Sequence, residues 1–162
     1  MPQVFLGLGS NIEPRVNLGL AVRELRRRFG QLRTSPVYRS RAAGFDGPEF
    51  LNLVVAMETE MPAADLCTVL DDIHELAGRN RSEGGLVSRT LDIDLLIYDG
   101  LVTKSATLEL PRGDVLEYDF VLRPLAELEP DFAHPQTGRR LADHWRDFDG
   151  VSHDLAPVDL VL

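Results

Sequence analysis

Residues 89–100, Arg89-Thr90-Leu91-Asp92-Ile93-Asp94-Leu95-Leu96-Ile97-Tyr98-Asp99-Gly100, constrain this chain more than any other stretch. The run is apolar, rich in branched residues and closed by the turn pair Asp99-Gly100, so it reads as a buried strand. Buried strands rarely hold acids, yet Asp92 and Asp94 sit inside this one. Spacing of i, i+2 on a strand puts both carboxylates on one face, about 7 Å apart at the Cα atoms. Two such groups would repel each other and lose hydration. A hard cation removes that cost, and Mg²⁺ held by one or two carboxylates plus substrate phosphates suits the pair. Arg89, three residues upstream, can serve the same anion. A D-x-D pair alone favours a solvated face or arginine pairing over a metal site.

The remaining bulk features set limits. A chain of 162 residues is expected to form one domain over 1–162 with a sizeable core. A net charge of −9 argues against a general nucleic-acid binder, which needs a basic footprint. The one cysteine, Cys67, rules out an internal disulfide framework and suits a reducing cytoplasm. Met1-Pro2-Gln3 does not open a signal peptide, and no apolar run approaches the roughly 20 residues that span a bilayer. A cytoplasmic protein is expected.

Along the chain, Val4 to Leu8 alternates as a first strand, ending in the turn Gly9-Ser10-Asn11. From Pro14 to Gly30 the period turns helical, with Leu18, Ala21 or Val22, Leu25 and Phe29 on one stripe. Arg26-Arg27-Arg28 reads as a solvated helix face. Leu32 to Arg39 forms a second strand, with Pro36 suggesting an edge or bulge. Phe50 to Thr59 forms a third, interrupted by the polar Asn52. Pro62 opens a second helix, with Leu66, Leu70, Ile73 and Ala77 on one face, and Gly78 ends it. The polar loop Asn80 to Ser88, flanked by Arg79 and containing Arg81, is placed to close over a ligand. After the Asp-bearing strand come a short strand at Ala106–Leu110, a polar connection at Pro111–Asp119, a short helix Phe120–Leu128 broken by Pro124, and a helical stretch near Leu141–Phe148. The order βαββαββα predicts an α+β, ferredoxin-like sandwich, a mostly antiparallel sheet flanked by helices.

These pieces together resemble the 6-hydroxymethyl-7,8-dihydropterin pyrophosphokinase family. The resemblance runs through "LGLGSN" (Leu6 to Asn11), "EFLNLVVAMET" (Glu49 to Thr59), Gly78-Arg79-x-Arg81, "RTLDIDLLIYDG" and "FVLRPLAELEPD" (Phe120 to Asp131). It implies an ATP-dependent diphosphokinase that moves pyrophosphate from ATP to the pterin hydroxymethyl group, giving AMP, in folate biosynthesis. It further implies that Asp92 and Asp94 hold two Mg²⁺ ions, and that Arg79, Arg81 and Arg89 meet ATP phosphates, with Asp92, Asp94, Arg79 and Arg89 as the catalytic set. Phe50 and Phe120 fall where the family stacks the pterin, and Asn52 falls where an amide reads its edge. A flat heterocycle needs both stacking faces and a side chain that donates and accepts. On residue type alone, core packing is the favoured reading of Phe50 and Phe120.

The departures gather on the nucleotide side. Where the family reads Pro-His, Pro111 is followed by Arg112, which keeps a positive charge and stands in for the missing phosphate contact. Two family arginine positions hold Asp114 and Tyr118, and a family Glu is replaced by His74. The expected partners are small molecules, a pterin and ATP, with no nucleic acid or membrane, and the expected state is a monomer or weak homodimer. Two rival readings stay open. One is a divergent paralogue that binds a pterin with altered substrate or little catalysis. The other is a metal-dependent phosphoesterase.

Overall fold

A strand whose two faces are both covered needs apolar residues at every position, not at alternate ones. Val4–Leu8 and Leu51–Met57 are buried at nearly every residue, and their strands are neighbours within the sheet. The computed structural model describes residues 1–42, 46–78 and 91–162. Strand β1 (Gln3–Ser10) lies between β4 (Phe50–Glu58) and β5 (Asp92–Tyr98), antiparallel to each. Beyond β4 the sheet continues through β3 (Val37–Ser40) to β8 (Ala156–Val158), and the two-residue β2 (Arg33–Thr34) also pairs with β4. The order β5-β1-β4-β3 is that of the split βαββαβ arrangement, as expected.

Helices cover both faces. On one, α1 (Pro14–Phe29) and α2 (Ala63–Leu76) bury Leu18, Ala21, Val22, Leu25, Leu66, Leu70 and Ile73 against Val4, Leu6, Leu8, Leu53, Val55, Ile93 and Leu95. Pro14 begins α1 without losing a hydrogen bond, and Gly30 ends it at φ 82°. On the other face, α4 (Asp119–Leu128) and α5 (Leu141–Arg146) pack Leu122, Leu125 and Leu141 against Phe5, Val54, Ala56, Leu96 and Ile97.

Several boundaries differ from the sequence reading. Gly9 and Ser10 are not a turn but the end of β1, paired with Asn52 and Leu51. The expected strand Leu32–Arg39 is two short pieces, because Ser35 and Pro36 step aside. Ser35 remains tied to β4 through its N–H to the Val54 carbonyl at 2.9 Å and its Oγ, which accepts from the Val54 N–H at 2.8 Å. The outer side of β3 is covered by β8, whose three residues include Pro157 on the outermost strand, where a missing N–H costs little. Pro124 does not break α4, which runs through it. The loss is one hydrogen bond in a helix that buries Val121, Leu122, Leu125 and Ala126, and packing offsets it. Of Ala106–Leu110 only Glu109–Leu110 (β7) is paired, with Thr103–Lys104 (β6). The polar connection carries one helical turn, α3 (Asp114–Glu117).

Candidate active site

Register places the acids. On β5, Ile93 and Leu95 enter the core beneath α1 and α2, so Asp92 and Asp94 take the opposite face, the one shared with Leu96. Across the ladder Asp94 opposes Gly7 and Asp92 opposes Gly9. One strand further, Gly9 opposes Asn52, and Asn52 opposes Tyr38. Directly opposed residues point to the same side, so Asp92, Gly9 and Asn52 form a row across three strands. A carboxylate stands at one end, an amide at the other and a bare strand between them. Adjacent strands are about 4.8 Å apart, which leaves roughly 10 Å between the two outer backbones.

The glycine in that row is closely overhung by its neighbours. A Cβ on Gly9 would come within 3.0 Å of the Asn52 amide oxygen and 3.8 Å of Phe50 Cδ1. Asn52 is buried, and its Nδ2 donates to Ser40 Oγ at 2.7 Å, which fixes the amide so that its oxygen leans over Gly9. Gly7 is less crowded, with the nearest atom, Leu96 Cδ1, at 3.3 Å from a built Cβ.

Along the outer edge of β5 lies a cleft of about 190 Å³, lined in part by Asp71, His74, Asp92, Asp94, Thr107 and Arg112. His74 is buried, and its Nε2 accepts the Ile93 N–H at 2.8 Å. It thus ties down the backbone between the two aspartates. Arg112 is anchored by its own N–H, which donates to the Leu96 carbonyl at 2.9 Å, and its Nη2 donates to Asp114 Oδ2 at 3.3 Å. Burial works against the Arg112 charge, but Asp94, Asp114 and Asp92 outweigh it and hold its pKa above the ordinary value. Arg112 Nε is buried and makes no hydrogen bond among the described residues. The donor set fits a hard cation: two carboxylates on one strand, with no cluster of three or more His, Cys, Asp or Glu among the described residues. A cation there would have to complete its shell with water or phosphate oxygens.

Phe120, the second residue of α4, lies on the same side of the sheet as Asn52 and packs at the margin of that core. Tyr118 stacks on it at 4.9 Å between centroids and 21° between planes, and His153 meets it edge-on at 5.1 Å and 88°. Tyr118, expected from its position to face phosphate, therefore adjoins the aromatic group. The structure gathers Asp92, Asp94 and Arg112 at the cleft and Phe50 with Asn52 beside Gly9. Arg79, Arg81 and Arg89 lie outside the described residues. Sequence reasoning passed over Gly9, Ser40 and the pair Asp119–His153. Glycines at alternate positions within a strand were the available signal for the first.

A profile of the 7,8-dihydro-6-hydroxymethylpterin-pyrophosphokinase (HPPK) family matches residues 5–130. The chain belongs to the HPPK family. Its activity is accordingly that of an ATP-dependent pyrophosphokinase, a transferase of folate biosynthesis. The 2-amino-4-hydroxy-6-hydroxymethyldihydropteridine pyrophosphokinase of Porphyromonas gingivalis is 37% identical over 142 residues, covering 84% of this chain and 96% of that one. The enzyme of the same name from Aquifex aeolicus is 34% identical over 138 residues, covering 83% and 85%. The folic acid synthesis protein fol1 of Pneumocystis carinii is 33% identical over 160 residues, and there the match spans 96% of this chain but 21% of the relative. Among solved structures, Plasmodium falciparum HPPK-DHPS superposes with a TM-score of 0.71 at 12% identity, over 91% of this chain and 44% of that one. At that identity the likeness concerns the fold. Members of the HPPK family use ATP as co-substrate, generally with Mg²⁺, and no helix among the described residues is long and apolar enough to cross a membrane.

Proposed function

We propose that Asp92 and Asp94 hold two Mg²⁺ ions beside the ATP phosphates, and that Phe50, Asn52 and Phe120 bind the pterin of 6-hydroxymethyl-7,8-dihydropterin. The row Asp92–Gly9–Asn52 carries this reading. It sets a cation-binding carboxylate and a heterocycle-reading amide on one face with open floor between them, which is where a hydroxymethyl group and a β-phosphorus would meet.

In this reaction the hydroxymethyl oxygen bonds to the β-phosphorus of ATP, the bond to the α-phosphate oxygen breaks, AMP leaves and the hydroxyl proton is released. Metal ions bound at the pair would neutralise charge developing on the transferring group. The protein's own residues align the reactants. Asn52 offers a donor and an acceptor to the ring edge, and the phenylalanines offer stacking faces. Arg79, Arg81, Arg89 and Arg112 contact phosphate. For Arg112 this requires exchanging its carboxylate neighbours for phosphate oxygens, which a cation at Asp92 and Asp94 favours by taking over the acids. Positioning of this kind supplies much of the rate in phosphoryl transfer without a general base. The chain acts as one domain over 1–162, in the cytoplasm, as a monomer or weak homodimer.

The test is AMP formation from ATP and 6-hydroxymethyl-7,8-dihydropterin with and without Mg²⁺, alongside calorimetric titration of the pterin and of a non-hydrolysable ATP analogue. Pterin- and Mg²⁺-dependent AMP is expected. Pterin binding without AMP would favour the non-catalytic paralogue, and phosphate release without pterin would favour a phosphoesterase.

A further inference from the structure

The chain beyond the family match, which ends at residue 130, returns to the pterin side of the sheet. Residues 152–158 run along the outer edge of β3, and their contacts are specific. Strand β8 adds to β3 through Val158, Pro157 and Ala156. Just before it, the His153 carbonyl accepts the Arg41 N–H at 3.0 Å, next to Ser40, whose Oγ holds the Asn52 amide. His153 then gives both its donors to one carboxylate. Its main-chain N–H reaches Asp119 Oδ2 and its Nδ1–H reaches Oδ1, each at 2.8 Å. Asp119 and His153 are 3% and 5% exposed, so this carboxylate is satisfied from within the protein. Asp119 is the first residue of α4 and Phe120 the second. The His153 ring also stands edge-on to Phe120 and lies 6.1 Å from Tyr118.

We propose that His153 is a positioning residue for pterin binding: by chelating Asp119 it locks the first turn of α4, so that Phe120 presents one fixed ring face to the ligand. Tyr118 stacks on Phe120 and His153 stands perpendicular to it, so two neighbours hold the ring before a flat heterocycle arrives. The same segment braces Ser40 through Arg41, so one strap holds both the stacking ring and the amide. Such pre-organisation raises affinity by removing the cost of ordering the site on binding. The inference rests on Phe120 being a pterin contact.

The experiment compares His153→Leu, His153→Asn and Phe120→Ala by calorimetry with 6-hydroxymethylpterin and, separately, with a non-hydrolysable ATP analogue plus Mg²⁺. His153→Leu should weaken pterin binding about tenfold, equivalent to about 1.4 kcal/mol, while nucleotide affinity stays within about twofold of wild type. His153→Asn keeps a side-chain donor for Asp119 Oδ1 and should recover most of the loss. Hydrogen exchange on the unmodified protein gives a second reading that needs no variant. Pterin should slow exchange at the His153 amide, and the nucleotude analogue alone should not. Normal pterin binding by His153→Leu with loss in Phe120→Ala overturns the role of His153. Equal losses for both ligands in His153→Leu would also overturn it, reducing His153 to general support of the fold. Normal pterin binding by Phe120→Ala would instead overturn the stacking role itself. Unchanged exchange at His153 on pterin binding would count against the strap whichever variants fold.

Discussion

The N–H of Ile93 donates to Nε2 of His74 at 2.8 Å, from the residue that separates Asp92 and Asp94. Because Nε2 accepts, the ring proton lies on Nδ1, which faces Asp71 Oδ1 at 3.4 Å. The ring thus supplies an acceptor to the backbone between the two acids. His74→Ala would leave a buried N–H unsatisfied and create a void, so urea denaturation should show a loss of about 1–3 kcal/mol. His74→Gln, which can still accept, should lose less. Equal destabilisation by both would show that ring packing, not the hydrogen bond, is what His74 supplies.

Asp94→Asn should abolish Mg²⁺-dependent nucleotide binding while the protein stays folded. Like-charge repulsion between the two acids alone would make the substitution stabilising. Arg112 opposes that, since Asp94 is the foremost of the carboxylates that sustain its charge. The two effects act in opposite directions across a partly exposed cleft, so the net change in stability should stay within about 1 kcal/mol. Undiminished Mg²⁺-dependent binding in calorimetry would remove Asp94 from the metal site.

Gly9→Ala tests the open floor between the carboxylate and the amide. The new Cβ would lie 3.0 Å from the Asn52 amide oxygen, closer than the 3.3 Å contact that Gly7→Ala would make with the end of a leucine. Asn52 is held by Ser40, so the amide must turn or the strands must part. Pterin affinity should fall about tenfold or more in Gly9→Ala, and by less in Gly7→Ala, since a misplaced contact costs more than a displaced methyl group. The reverse ranking in titration would place the ligand nearer Gly7.

The sequence was most readable where residues broke a rule of burial. Acids at 92 and 94 and an amide at 52 stand out in apolar strands because a buried polar group needs a partner, and each of these strands is where it was expected. Helices α1 and α2 were legible from the 3.6 period and the proline and glycine at their ends. Strand β8 was hidden because three residues including Pro157 carry no alternation. Asp119 and His153 were hidden because the pair is joined across 34 positions, and nothing local to either residue signals the other. The continuity of α4 through Pro124 is decided by tertiary packing, which local propensity does not contain.

His134 gives a pH dependence whose sign can be worked out. Its Nδ1 accepts the N–H groups of Gln136 at 3.2 Å and Thr137 at 3.3 Å, so the folded protein needs the ring unprotonated there. Burial first, and then His144 at 5.6 Å between ring centroids, push its pKa below 6.5. Around the same group, burial and Arg139 also lower the His144 pKa, partly opposed by Asp143 and Asp147. In the unfolded chain His134 regains its ordinary value. Between the lowered folded pKa and 6.5 the unfolded state therefore binds more protons, and stability rises with pH across that window. Its contribution is complete above about pH 6.5 and shrinks on acidification. His134→Asn keeps an acceptor for the two N–H groups but does not titrate. Urea midpoints at pH 7.5 and pH 5.5 should thus differ less in His134→Asn than in the wild type. An identical pH dependence in the two proteins would mean that His134 takes up its proton as readily folded as unfolded, contrary to its two accepted hydrogen bonds.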